Sequence, residues 1–240
     1  LKLFYSTKLL IIIELSESGR ELFLELKVLF LKMVESLKGA VHRNGLIIKA
    51  TTVSFFIILS FAIIASIFVF SLAPEFSEQL SSLAQTSLNY GDIPPPFTGT
   101  LFSYIFLNNI GHFWNPVRML VWIPVLGPLL LGFEILLNSG VIGVIAVMVG
   151  INNGIAYPIV GLVPHGIIEV PAFLLQFASI VLWQATITEA ILDKLRGRKL
   201  ERDKVKQGLK DALILAVASI ILFVVAATIE TYVTPYLLGL

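Results

Sequence analysis

From residue 51 the chain runs for 23 positions without a charged side chain (TTVSFFIILSFAIIASIFVFSLA), and long apolar stretches recur at 165–192 and from Asp211 to about Leu238. A surface helix of a soluble domain shows an apolar stripe and a polar face, whereas an uncharged run of about 20 residues is what an α-helix needs to cross a bilayer. All three stretches are therefore predicted to span. Ahead of them, residues 20–40 keep Leu22, Leu26, Leu29, Met33 and Leu37 at helical spacing, with Glu21, Glu25, Lys32 and Glu35 off that line. This pattern predicts an amphipathic helix that rests on the membrane surface or against a second copy.

Charge placement sets the topology. Of the 17 Lys and Arg residues, Lys2, Lys8, Arg20, Lys27, Lys32, Lys38, Arg43 and Lys49 precede residue 50, eight more lie from Lys194 to Lys210, and only Arg118 stands elsewhere. The stretch 74–99 has none and carries Glu75, Glu78 and Asp92. The positive-inside rule puts both basic clusters in the cytoplasm and 74–99 outside. Residues 1–50 then form a cytoplasmic amphipathic arm. Residues 51–240 form a transmembrane domain, with an outer loop at 74–99 that ends in the stiff Pro94-Pro95-Pro96 run and a basic cytoplasmic loop at 193–210.

Because the chain is outside at 99 and inside at 193, an odd number of crossings must lie between, making about five in all and leaving the C-terminus outside. Three apolar pieces compete for residues 100–164, broken at Asn108-Asn109, Asn115-Pro116, Pro124, Pro128, Asn138-Ser139-Gly140, Asn152-Asn153-Gly154 and Pro158. Either 100–117 lies at the surface while 119–137 and 140–160 cross, or 100–117 and 119–137 cross and 140–163 dips in and returns. The second arrangement is preferred, since it places Arg118 inside and Asn152-Asn153-Gly154 at a re-entrant tip. Broken backbone at membrane depth is tolerated only beside protein or a wet cavity, and it gathers around binding and transport sites. Gly150-x-x-x-Gly154 also reads simply as a close-packing motif.

Composition agrees: 57% apolar and 14% charged, with a mean hydropathy of +0.91, describes a polytopic all-α helix bundle in the cell membrane. With no cysteine there is no disulfide framework, thiolate metal site or cysteine nucleophile. The run Leu9–Ile13 is too short for the core of a signal peptide and is followed by Glu14 and Glu17, so none is expected.

Against this apolar background, Pro164-His165-Gly166-Ile167-Ile168-Glu169 places two ionisable groups one helical turn apart. Such groups in lipid mark a functional site by default. Counted from the cytoplasmic hairpin at a rise of 1.5 Å per residue, Glu169 and Glu230 lie roughly 35 and 29 Å from the inner boundary. Ala212, Ala216, Ser219, Ala226 and Glu230 share one small-residue face, which turns Glu230 into the bundle. His165, Glu169 and Glu230 are therefore expected to converge.

Three accounts stay open: a site for zinc or another divalent metal, a proton or ion path, and a hydrogen-bonded lock between broken helices. Asn108, Asn109, Asn138, Asn152 and Asn153 need partners in lipid. Asn138 and Asn152 also read as ordinary helix breakers, Glu134 as a snorkelling or cluster residue, and His112 as interfacial or packed in the core. No His-Glu-x-x-His, Gly-x-Ser-x-Gly or phosphate-binding Gly-Lys loop occurs, so an enzyme is disfavoured. Attraction of the basic clusters to anionic lipids accounts for them without nucleic acid.

Four segments carry a family resemblance: Ile105-Phe106-Leu107-Asn108-Asn109, Asn138-Ser139-Gly140, Pro164-His165-Gly166-Ile167-Ile168-Glu169, and Ala227-Thr228-Ile229-Glu230-Thr231-Tyr232-Val233-Thr234-Pro235. In this order they resemble the stage II sporulation protein M family over about residues 50–238. The resemblance implies five or six spans, and in spore formers work with partners that thin septal peptidoglycan, while relatives occur widely in organisms that do not sporulate. It points to His165, Glu169, Glu230, Asn108, Asn109 and Asn138 as the functional residues and leaves their role open. The expectation is a non-enzymatic membrane scaffold or anchor that self-associates and holds unidentified protein partners. A transporter or channel is the alternative, and a metal-dependent membrane hydrolase the weaker one.

Overall fold

In a bilayer only a helix or a closed barrel satisfies its backbone polar groups, so an uncharged apolar run becomes a helix whatever its intrinsic propensities. In the computed structural model, which describes residues 17–87 and 93–239, every regular element is helical. Helix α1 (Glu17–Arg43) forms a compact unit of its own and leaves Leu22, Leu26, Leu29 and Met33 exposed along the expected line.

The second unit begins at Asn44. Helix α2 (Gly45–Leu72) is followed by α3 (Pro74–Ser87), the short α4 (Gly99–Asn109), and single 3-10 turns at Gly111–Phe113 and Arg118–Trp122. Then come α5 (Leu126–Asn153), α6 (Ala156–Leu195) and α7 (Arg202–Thr228), which continues through a π-helical turn (Ile229–Val233) into α8 (Thr234–Leu238). Among the described residues four helices are long and apolar enough to cross a membrane: Gly45–Leu72, Leu126–Asn153, Ala156–Leu195 and Arg202–Leu238. The chain is a multi-pass membrane protein.

Helix α6 is the axis of the bundle. Half of its most apolar window is buried, against 17% for α2 and 22% for α5, which present apolar side chains almost all round. Its closest neighbour is α7, and Ala172, Phe173, Phe177 and Ile180 of α6 form the core with Val121, Leu131, Ile135 and Phe223. The small-residue face of α7 is buried as expected, at Ala212, Ala216, Ser219 and Ala226. Pro164 and Pro171 sit inside α6 without ending it.

The interval 100–164 departs from the preferred arrangement. Helix α4 has only 11 residues, about 16 Å of rise, and cannot span alone. The chain nevertheless travels along α6 from one level to another. Phe97 N donates to Thr231 O (3.2 Å), Asn109 meets Glu169, and Trp183 Nε1 donates to Trp122 O (3.1 Å). The passage is thus a broken crossing that ends near the basic turn, where α5 begins.

Asn138-Ser139-Gly140 does not interrupt α5. Asn138 Nδ2 donates to Glu134 O (2.9 Å) and Ser139 Oγ to Ile135 O, so both polar side chains are satisfied on their own helix. Asn152-Asn153-Gly154 does break the chain, with Gly154 at φ 87°, but as the turn between two long helices rather than as the tip of a re-entrant dip over 140–163. Periodicity misplaced the break because a polar side chain that bonds back one turn looks, in sequence, like a breaker.

Candidate functional site

His165 and Glu169 leave one face of α6, one turn apart, with His165 Nε2 3.6 Å from Glu169 Oε2. Glu230 comes from the π turn, where one extra residue per turn shifts the side-chain phase of α7 and presents its carboxylate to α6. One ligand atom from each of these three residues lies within 4.8 Å of the others. His165 is buried, and Glu169 and Glu230 are half-buried.

Neighbours hold these groups in place. Asn109 Nδ2 donates to Glu169 Oε1 at 2.9 Å, reaching in from the C-terminal end of α4. His165 Nδ1 is 3.3 Å from Thr234 Oγ1, so the hydroxyl engages one ring nitrogen and leaves Nε2 toward Glu169. Thr231 Oγ1, next to Glu230, is buried without a hydrogen-bond partner among the described residues. The site therefore draws on three separate segments: the end of α4, the N-terminal half of α6, and the π turn with α8.

Of the other asparagines singled out, only Asn109 enters. Asn108 is exposed, its backbone carbonyl taken by Arg118 Nη1 (2.5 Å), and Asn138 bonds within α5. Adjacent residues on a helix point about 100° apart, so Asn108 and Asn109 could not both face Glu169.

A second polar group, absent from the sequence-derived cluster, lies nearer the basic turn. His112 is fully buried, with Nδ1 3.0 Å from Gln176 Oε1 and Nε2 in contact with the Glu134 carboxylate. Gln176 Nε2 donates to Asn109 O at 3.4 Å, which fixes its amide orientation and links the two groups. The signal was present: Gln176 is seven residues after Glu169, on the same helix face, within an apolar stretch. The link runs through the amides of Asn109 and Gln176, which hold a fixed donor and a fixed acceptor and do not pass a proton as a hydroxyl or carboxyl can. The two groups are thus joined mechanically rather than by a side-chain proton wire.

Comparison with known proteins places these observations in a family. The family model described as stage II sporulation protein M matches residues 53–235. Two proteins of Methanocaldococcus jannaschii are similar: uncharacterized protein MJ0793 is 33% identical over 103 residues, which is 42% of this chain and 55% of the relative. Uncharacterized protein MJ0706 is 32% identical over 102 residues, 42% of this chain and 44% of the relative. The chain spans about half the length of these curated relatives. No solved structure matches.

Proposed function

The chain belongs to the stage II sporulation protein M family, and from that premise we propose that it is a non-enzymatic membrane anchor for partner proteins whose outer end is organised around a divalent metal ion at His165, Glu169 and Glu230. The observation that carries the reading is the gathering of one imidazole nitrogen and two carboxylates within 4.8 Å of one another. One nitrogen and two carboxylate oxygens are an adequate three-ligand set for zinc or a related ion, with a further position for water or an amide.

The surroundings support it. Metal-binding histidines engage a partner through the other ring nitrogen, and ligating carboxylates are themselves hydrogen-bonded. Thr234 and Asn109 do these two things here. An ion at this point would tie α6, the π turn and the end of α4 together, and so set the shape of the face opposite the basic turn. Under the positive-inside rule that face is extracytoplasmic, the C-terminus lies outside and the N-terminus inside. The broad apolar faces of α2 and α5 suit self-association as well as lipid.

The test is metal content by elemental mass spectrometry on protein purified without chelator and supplied with one equivalent of zinc. We expect close to one metal per chain in the native protein and loss of most of it in His165→Ala. Equal metal in both, or none in the native protein, would sink the reading.

A transporter is the second reading. It is favoured by one observation, the interrupted crossing of α4 and the 3-10 turns beside a π turn that bears Glu230. Liposomes with native protein that move zinc faster than protein-free liposomes, and stop doing so in Glu169→Gln, would establish transport in place of anchoring.

A further inference from the structure

Helix α4 turns its polar side chains outward at a depth where lipid cannot satisfy them, and we propose that this face docks on the same face of a second copy of the chain. The proposal names the surface through which the chain self-associates and does not depend on a metal at His165.

At about 100° per residue, positions 100–109 of α4 divide into two faces. Leu101, Phe102, Ile105, Phe106 and Asn109 turn inward: Leu101 and Asn109 are buried, the other three partly so, and the helix packs on α7 and the π turn. Thr100, Ser103, Tyr104, Leu107 and Asn108 are exposed on the opposite face. All of these outward side chains except Leu107 are polar. This is the pattern of a helix on a soluble protein, whose polar face meets water.

The depth is that of the hydrocarbon. Just before the helix, Phe97 N donates to Thr231 O, and at its end Asn109 reaches Glu169 and accepts from Gln176. Helix α6 continues outward from His165 to Ala156, about 14 Å of rise without a charge, and inward from Gln176 for about 20 Å before Glu189. Helix α4 thus lies within the extent of the apolar helices around it. Lipid at this depth offers neither donor nor acceptor, so polar side chains there face protein or a water-filled cavity.

The chemistry of the face selects a second copy. Among the described residues no hydrogen bond engages Ser103 Oγ, the Tyr104 hydroxyl or the Asn108 side-chain amide, and Thr100 Oγ1, which donates to Thr98 Oγ1 (2.9 Å), still accepts. Hydroxyl and amide groups both donate and accept, so an identical face can satisfy this one across a two-fold axis. Charge does not oppose the pairing: α4 contains no acidic residue, and Arg118, which borders the face, already has Glu134 Oε1 at 3.8 Å. Close approach is open as well. Gly99 and Ser103 form a small pair one turn apart, and a Cβ at Gly99 would meet nothing of its own chain within 4 Å. Packing within the chain therefore does not require this glycine, whereas small residues at such spacing let two membrane helices come near enough to bond. Lipid covers the apolar faces of α2 and α5 as well as protein does, but it cannot cover this one.

With no cysteine in the sequence, single cysteines can be placed without background. The experiment compares Ser103→Cys with Phe61→Cys, at an exposed apolar position of α2, in liposomes treated with a short, membrane-permeant thiol cross-linker. We expect at least fivefold more covalent dimer from Ser103→Cys. Adding Thr100→Val and Tyr104→Phe to Ser103→Cys removes two hydroxyls with little change of shape and should lower the dimer yield at least threefold. Gel filtration checks that each variant is folded, and the comparison of positions 103 and 61 stands without the added substitutions. Equal cross-linking at 103 and 61, or an undiminished yield in the folded triple variant, overturns the proposal. Absence of dimer together with labelling of Ser103→Cys by a charged thiol reagent, as fast as Glu75→Cys on exposed α3, overturns it too and makes the face the wall of a water-filled cavity.

Discussion

Asn109 is the residue on which the candidate site turns, and its removal has a calculable cost. The side chain is buried, and its amide donates to Glu169 at 2.9 Å. Asn109→Ala deletes this bond but leaves the main-chain acceptor of Gln176 in place, so the change acts on the His165 cluster alone. A hydrogen bond to a charged group contributes about 1.5–3 kcal/mol and one to a neutral group about 0.5–1.5 kcal/mol. The half-buried Glu169 carboxylate, stripped of its donor, should cost on the order of 2 kcal/mol.

A double-mutant cycle with Glu169→Gln isolates the pair, since additivity fails for residues in contact by the energy of that contact. The assay is reversible unfolding of the purified protein in mixed micelles, followed by the fluorescence of Trp114, Trp122 and Trp183. A coupling energy of about 1–3 kcal/mol is expected between positions 109 and 169. The neighbouring Asn108→Ala, at an exposed position, should cost less than about 0.5 kcal/mol. A coupling near zero, or equal costs at 108 and 109, would falsify the assignment of Asn109 as the holder of Glu169.

Two further outcomes follow from the packing. Gly143→Val should separate α2 from α5, because even a Cβ there lies 2.8 Å from Ala62 Cβ and 3.2 Å from Ile63 N; a loss of about 1–3 kcal/mol in the same unfolding assay is expected, with weakened cross-linking between cysteines placed on the two helices. Phe223→Ala empties a fully buried position against Phe173, whose ring centroid is 4.9 Å away. Lipid is as apolar as the core, so the transfer part of the usual loss fades and the cavity part remains, leaving on the order of 2–3 kcal/mol rather than the roughly 3–5 kcal/mol of soluble proteins.

Much of this protein is legible residue by residue. The uncharged run 51–73 had no stable alternative to a helix in lipid, and the i, i+4 spacing of His165 and Glu169 sets them on one face of any helix that contains them. Counting rise along two antiparallel helices was enough to bring Glu230 to the level of Glu169, because 1.5 Å per residue holds almost regardless of context. The π turn at Ile229–Val233 had no such signature, yet it sets the phase in which Glu230 meets its neighbours.

What the amino-acid order determined by itself, then, is the membrane class, the helical elements and the single-helix constellations, all of which rest on interactions within a few residues or with bilayer and water. Tertiary structure alone decided that Asn109 and not Asn108 reaches Glu169, that Asn152-Asn153-Gly154 is the turn between two long helices rather than a re-entrant tip, and that His112, Glu134 and Gln176 form a second polar group. The reason is the solvent. In water a helix shows its inward face by its apolar stripe, but in lipid both faces are apolar, so hydropathy carries no rotational phase. Which side chains meet is then settled by close packing at small residues and by the search of each buried polar group for a partner.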